Sequence, residues 1–500
     1  MLASWRRSAV LFVAILAALL MAYFPAIHAY YLHTDDYFWS GWAGFPRAAV
    51  IKFISAVGRP LTGLIYCSYW LVRTMYGMNL LRAISIVNLA VLGLLVYRCL
   101  IIDLVSPSVA LAAAIALLTT PPFATAVGYL STAPFALAVT VAALAFLLAS
   151  KRKWAFAFLL LIVSLALYQP GALFYVTLAA ISTFLCDPLT FWREHVRKLA
   201  VHGAILAAAC AVYYWAWRTW LQLAGAPLGG KYDARRFVGD IFGRLKWFVR
   251  TPLMEAANLW FVRPRIAYAL LTGSVVLVAL CLEFFPFNRS RAAGVLGKTA
   301  ALAAMIPMTY GISLASYMPS PEYRTYTALE GAVVLLFVIA LSRILSAAPR
   351  CASVIVAAVA LCGIYAANVT IRRYFTVPDS MEFRFVKGQI DQYRQTAGSD
   401  FTTVDVVVRT NPVAAIERNE LGEPSLRHGP NLRPIVTAAL RELEIARDVP
   451  VIQSLPGDPS KWIEWGTELH WMTLDYFVGP PRPGKTITID ASLIGHVPGN

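Results

Sequence analysis

Charge is what this 500-residue sequence has least of: Asp, Glu, Lys and Arg make up 14% of it, against 59% hydrophobic residues and a mean hydropathy of +0.63. Soluble globular chains average about 25% charged residues, so an ordinary water-soluble protein is excluded and a polytopic membrane protein fits. Cysteine is sparse and unpatterned. The seven, Cys67, Cys99, Cys186, Cys210, Cys281, Cys351 and Cys362, lie in or beside apolar segments with no CxxC pair, which leaves neither a disulfide framework nor a thiolate metal site to argue from. The tail beyond residue 371 lacks a Gly-rich phosphate loop, a nucleophile elbow and metal-ligand spacing, and the sequence shows no internal repeat. Its 30 Gly and 29 Pro are near average usage, so fibrous and low-complexity chains are excluded too.

What charge there is divides unevenly. Residues 1–371 carry 29 Lys/Arg and 11 Asp/Glu, a net +18, whereas residues 372–500 carry 14 and 16, a net −2. The basic excess belongs to the membrane part. Nucleic acid is therefore not an expected partner despite a pI of 9.6.

A spanning helix needs roughly 20 apolar residues. Apolar runs lie near 8–27, 80–102, 106–121, 130–149, 154–169, 171–186, 199–220, 266–285, 299–316, 326–346 and 351–371. They predict about eleven transmembrane helices, the first an uncleaved anchor with its N-terminus in the cytoplasm. Alternation then puts Arg98, Lys151-Arg152-Lys153, Arg193/Arg197/Lys198, Arg289/Arg291/Lys298 and Arg343/Arg350 on the cytoplasmic side, as the positive-inside rule requires. This works only if residues 48–79 do not span, so they are read as helices lying along the outer interface. Three regions face outward: 28–79, 221–265 and the tail 372–500. In the second, Phe237, Ile241, Leu245 and Phe248 recur at helical spacing among eight basic and three acidic residues, the pattern of an amphipathic interfacial helix. The tail predicts strands at 402–410 and 486–490 and a helix at 431–448, a small α/β domain outside the membrane.

Of the eleven acidic residues in the membrane part, Asp35-Asp36 is the only adjacent pair, and it sits among aromatics just past the first helix. Carboxylates at a hydrocarbon boundary are costly unless paired or solvated, so their presence suggests use, although Asp also caps helices. Adjacent side chains point apart, so the two carry different jobs. One takes a proton from an attacking hydroxyl, and the other holds the base, a substrate or a cation. His33 lies beside them. In Gly58-Arg59-Pro60-Leu61, Pro fixes a helix start and Gly a tight turn, which holds Arg59 for a phosphate or for lipid headgroups. Tyr168-Gln169-Pro170-Gly171 offers sugar hydroxyls a polar group, or is simply a hairpin turn. Arg324 is the only basic residue on its rim, facing a ligand or Glu322, with Arg263 and Arg265 weaker candidates of the same kind.

An N-terminal helix followed at once by an outward Asp-Asp, interfacial helices, about eleven spans and an external C-terminal domain resembles the GT-C membrane glycosyltransferases. Asp35-Asp36, Gly58-Arg59-Pro60-Leu61 and Tyr168-Gln169 look like the bacterial O-antigen glucosyltransferases of serotype conversion. The resemblance implies transfer of a sugar from a polyprenyl-phosphate donor to an envelope glycan or lipid acceptor, on the periplasmic side of an inner membrane. Asp35 or Asp36 would be the base, and the anomeric carbon would invert. Arg59, Arg324 and Arg263 would meet the donor phosphate, and His33, Tyr168 and Gln169 the sugar or acceptor. No second carboxylate motif accompanies the pair, so no metal site is assigned, and a divalent cation stays open as cofactor. Two rivals remain. A polysaccharide polymerase or ligase would use the outward arginines without the Asp pair. A transporter or flippase of lipid-linked glycans would need midplane ionisable groups, for which only Glu330 and Glu283 offer themselves.

Overall fold

The computed structural model describes residues 2–33, 36, 39, 47–72, 74–103, 105–224, 238–262, 265–285, 287–316, 322–397, 403–407, 429–444, 451–454 and 486–490. Its first half contains α1 (Leu2–His28), the short α2 (Arg47–Ala56) and α3 (Pro60–Tyr69), α4 (Met75–Ile102), α5 (Pro107–Leu118), α6 (Pro121–Gly128), α7 (Ala133–Ser150), α8 (Trp154–Leu167) and α9 (Gln169–Leu185). The second half contains α10 (Val196–Leu223), α11 (Ile241–Arg250), α12 (Pro252–Ala256), α13 (Ile266–Leu282), α14 (Arg289–Met308), α15 (Tyr323–Ile344), α16 (Pro349–Ile371), α17 (Val377–Ala397) and α18 (Gly429–Glu442). In a bilayer the backbone must satisfy its own hydrogen bonds, which is why every apolar run is helical.

Each of the eleven predicted runs carries a helix. Among the described residues six are long and apolar enough to cross a membrane, seven when α5 and α6, bent by 57°, count as one span; α8, α9 and α13 are shorter apolar helices. The predicted run 299–316 is displaced. Its helix α14 starts ten residues earlier because Asn288 caps it, accepting from Ser290 N, and ends at Met308. The chain is a helical membrane protein.

The ten-residue helices α2 and α3 are about 15 Å long, half a span. They pack on each other, and α3 also packs on α8. In α11 the interfacial pattern is present with a change: Phe248 is buried, while Ile241, Phe242, Leu245 and Val249 are exposed. Phe237 lies outside the described residues. At the centre, α15 is buried along most of its length against α5, α6, α9 and α13.

At residue 372, where the tail is expected to start, the chain stays helical. A wide turn over Arg372–Thr376 carries α16 directly into α17. Beyond it, β1 (Thr403–Val407), β2 (Val451–Ser454) and β3 (Thr486–Asp490) form a parallel sheet in the order β2-β1-β3, with Val404 opposite Val451 and Ile487. The first and third strands and α18 match the expected segments; the four-residue β2 is too short for a period-2 signal. One apolar cluster joins this tail to the loop after α1: Leu32, Tyr66, Met75 and Leu130 pack with Phe383, Val386, Val404 and Ile435. The end of the bundle bearing this cluster is called the tail end below.

Candidate active site

Asp36 is buried at the tail end and fully engaged. The chain turns tightly here, with Asp36 N donating to the His33 carbonyl at 2.7 Å and His33 N donating to Asp36 Oδ2 at 3.2 Å. Leu130 N and Ser131 N donate to its two oxygens at 3.0 and 2.6 Å. Those amides open the single 3-10 turn Leu130–Thr132 that leads into α7, where a helix start leaves N–H groups without acceptors. Asp36 thus caps a helix about a hundred residues away.

Its counter-charge is Arg82. This arginine is fully buried in α4, with Nη2 3.8 Å from Asp36 Oδ2. Nη1 donates to Asn79 Oδ1 at 2.9 Å, Nη2 donates to the Tyr31 carbonyl at 2.8 Å, and the guanidinium lies 3.8 Å from the Tyr31 ring centre. Burial pushes the Asp36 carboxyl up to about 6, against Arg82, the Ser131 and Leu130 amides and His33, which all favour the anion. His33 makes a second buried pair, its Nδ1 2.8 Å from Asp379 Oδ2 in the first turn of α17. The His33 ring meets Tyr129 and Phe375 edge to face.

Arg59 stands nearby on the same scaffold. Gly58 adopts φ +81°, a conformation that favours glycine, and a Cβ there would also strike the Gln169 side chain. The Gly58 carbonyl accepts from Gln169 Nε2 and from Tyr213 Oη. The Arg59 guanidinium lies over two rings that stack on each other, 4.7 Å from the centre of Tyr168 and 5.1 Å from that of Phe135. Its Nε is buried without a hydrogen bond, and it has no carboxylate partner among the described residues. Phe135 follows Ser131 by four residues, and Tyr66 Oη donates to the Ser131 carbonyl. One segment, 130–135, therefore fixes both Asp36 and Arg59.

The sequence-derived candidates fall into three sets. His33 and Asp36 meet in one cluster, and Arg59, Tyr168 and Gln169 in another. Tyr168 and Gln169 hold the arginine through a ring face and a carbonyl. Arg324 pairs with Glu322, the alternative its rim position left open. Asp35 and Arg263 lie outside the described residues. Sequence reasoning missed Arg82, Asp379 and the 130–135 segment. Arg82 did leave a signal, one of only two cations in the apolar run 80–102; Asp379 left none.

A family model described as "Glucosyl transferase GtrII" matches residues 49–372, nearly two-thirds of the chain. The match takes in Arg59, Arg82, the 130–135 segment, Gln169 and Arg324, and stops short of Asp36 and Asp379. No curated protein matches the chain.

Proposed function

The chain belongs to the GtrII glucosyl transferase family, and on that premise we propose that it moves a glucosyl group from a polyprenyl-phosphate carrier to an envelope glycan or lipid acceptor at the tail end of the bundle. The observation that carries this reading is the Arg59 guanidinium, held on two rings with a buried, unbonded Nε and no carboxylate among the described residues. An arginine so placed suits an anion such as the carrier phosphate.

The division of labour within the acidic pair follows from Asp36. A buried carboxylate accepting three amides is a poor proton shuttle, so Asp36 is the positioning residue and Asp35 the base. Asp35 takes the proton of the acceptor hydroxyl as its oxygen attacks the anomeric carbon. The bond from that carbon to the phosphate oxygen breaks, the electron pair leaves with the phosphate, and Arg59 stabilises the departing charge. A single displacement inverts the anomeric centre. A divalent cation is not needed for this balance, and the cofactor stays open.

The Lys/Arg-rich turns expected on the cytoplasmic side lie toward the helix ends away from the tail. With the positive-inside rule, this supports a cytoplasmic N-terminus and a periplasmic tail in an inner membrane. The α11 face of exposed apolar side chains beside Lys246 and Arg250 suits membrane lipid.

The test is glucosyl transfer from membrane lipid extract to endogenous acceptor by wild type and Asp35→Asn. A general base contributes roughly 10²- to 10⁴-fold. The variant should fold normally and lose at least a hundredfold in turnover; turnover equal to wild type sinks the assignment.

A further inference from the structure

Away from the tail, a cavity of about 220 Å³ opens between the ends of α4 and α9 and the start of α10. Three of the eleven acidic residues in 1–371 line it, Asp103, Asp187 and Glu194, on the side of the molecule where basic residues gather. None of the three forms an ion pair among the described residues. Asp103, just past the end of α4, is half-buried, and its Oδ1 accepts from the Ser182 hydroxyl at 3.3 Å. Burial pushes its carboxyl up to about 6, against Ser182 and Lys198, which favour the anion. Burial, helped by Lys198, Lys298 and His202, holds His195 down at about 4. That histidine is therefore neutral at pH 7, and Lys198 is the one cation in the lining among the described residues.

Three acids beside one lysine favour a ligand with positive charge. They do not converge as a metal site among the described residues, which leaves a bare divalent cation short of oxygens. An ammonium brings its own N–H donors and can be shared between carboxylates that stand apart. A primary ammonium fits best, because no aromatic ring among the described residues lines the cavity to face a quaternary one. Lys198 gives an anionic neighbour of that ammonium a place, so the ligand is a zwitterion of ammonium and phosphate. The cavity is smaller than the roughly 300–1,000 Å³ of drug-sized ligand pockets, which suits a headgroup. Its position favours a lipid as the source. Ile102 and Leu185 in the lining end the apolar helices α4 and α9, and Leu189 and Trp192 beside it are 53% and 60% exposed, as interfacial anchors are. Few residues of α10 are buried, so acyl chains can run along it.

We propose that this cavity binds the headgroup of a phosphatidylethanolamine-type lipid, its ammonium shared by Asp103, Asp187 and Glu194 and its phosphate held by Lys198. The proposal is independent of the transferase reading.

The test counts lipid retained by the full chain. The protein is exchanged into micelles containing equal amounts of dioleoyl phosphatidylethanolamine and dioleoyl phosphatidylcholine, and bound lipid is read by native mass spectrometry. Wild type should retain the ethanolamine lipid about tenfold over the choline lipid, whose headgroup has no N–H to donate. Asp103→Asn should cut that preference at least fivefold. Lys198→Gln should weaken both lipids alike, since both carry the phosphate. Equal retention of the two lipids by wild type overturns the proposal, as does an unchanged preference in folded Asp103→Asn. If that variant does not fold, Asp187→Asn combined with Glu194→Gln, at two exposed positions, carries the test with the same threshold. Soluble phosphoethanolamine should displace the lipid only in large excess; displacement at equal concentration would overturn the lipid source in favour of a free zwitterion.

Discussion

The two ends of the helix bundle both bury charge, and they arrange it differently. Away from the tail, Glu283 accepts from Lys298 Nζ at 2.6 and 2.8 Å and pairs with Arg343, while Lys298 also donates to the Cys186 carbonyl. This joins the ends of α13 and α15 to the middle of α14 in a closed knot. At the tail end, Asp36 is committed to three amides and Arg82 to a carbonyl and an amide, with 3.8 Å between the pair. His33 and Asp379 close a second pair, and Arg59 is left on aromatic faces. Charges that neutralise one another make an anchor. Charges spread over backbone groups beside an uncommitted guanidinium make a frame with positive potential to spare, which is what a departing phosphate needs.

Lysine and arginine removal should separate the two ends most sharply. Arg82→Met and Lys298→Met each remove a buried cation from its carboxylate, a loss of about 3–5 kcal/mol in comparable buried pairs, with Lys298→Met at the low end because Glu283 is only half-buried and keeps Arg343. Thermal melting should fall in both. Turnover per folded molecule should fall at least a hundredfold in Arg82→Met, which releases the loop carrying the acidic pair, and stay within threefold in Lys298→Met. Equal damage to turnover in both would erase the distinction.

Arg59 sharpens it at the next scale. Arg59→Ala should lower kcat/KM about a hundredfold, the loss of one charge-stabilising group. Arg59→Lys, which keeps the charge and loses the planar fit to the rings, should recover part of it. Arg343→Ala at the other end should leave donor KM unchanged.

The pH profile follows from Asp36. Its folded carboxyl titrates at about 6, above the roughly 3.9 of an unfolded aspartate. The native state thus binds this proton more tightly, and the group's stabilising share is complete below about 4 and lost as pH rises through 6. If the anion is what holds the amides of 130 and 131, turnover should move the opposite way. It should fall about tenfold from pH 7.5 to 5, the ionised fraction expected one unit below the titration point. Turnover and melting recorded in parallel check both signs; turnover flat through pH 6 would show that the anion is not required.

How much of this the sequence disclosed depended on distance along the chain. Apolar runs reported their helices because hydrophobicity is local, and Gly58 announced its turn because φ is a property of one residue. The capping alternative for Asp36 was sound chemistry aimed at the wrong helix: the amides it satisfies belong to 130 and 131, and no local pattern links them. Tyr168 and Gln169 offered polar atoms, but only the fold shows one presenting its ring and the other its amide to the Gly58-Arg59 turn. The His33 and Asp379 pair spans 346 residues, and each member alone is an ordinary polar residue.

The smallest expected effect tests whether Arg324 belongs to the frame or to the surface. Its partner Glu322 begins the same helix, and the two are 25% and 28% exposed, so water screens the pair and its contribution to stability should be about 0–1 kcal/mol. Arg324→Gln should therefore change melting little and turnover less than threefold. A thirtyfold loss in donor affinity would mean that the carrier phosphate displaces Glu322 on binding, and Glu322→Gln should then tighten donor binding by releasing the guanidinium. With Glu322→Gln silent and Arg324→Gln mild, Arg59 alone carries the tail end's anion site, and the contrast with the closed knot at the other end rests on a single arginine.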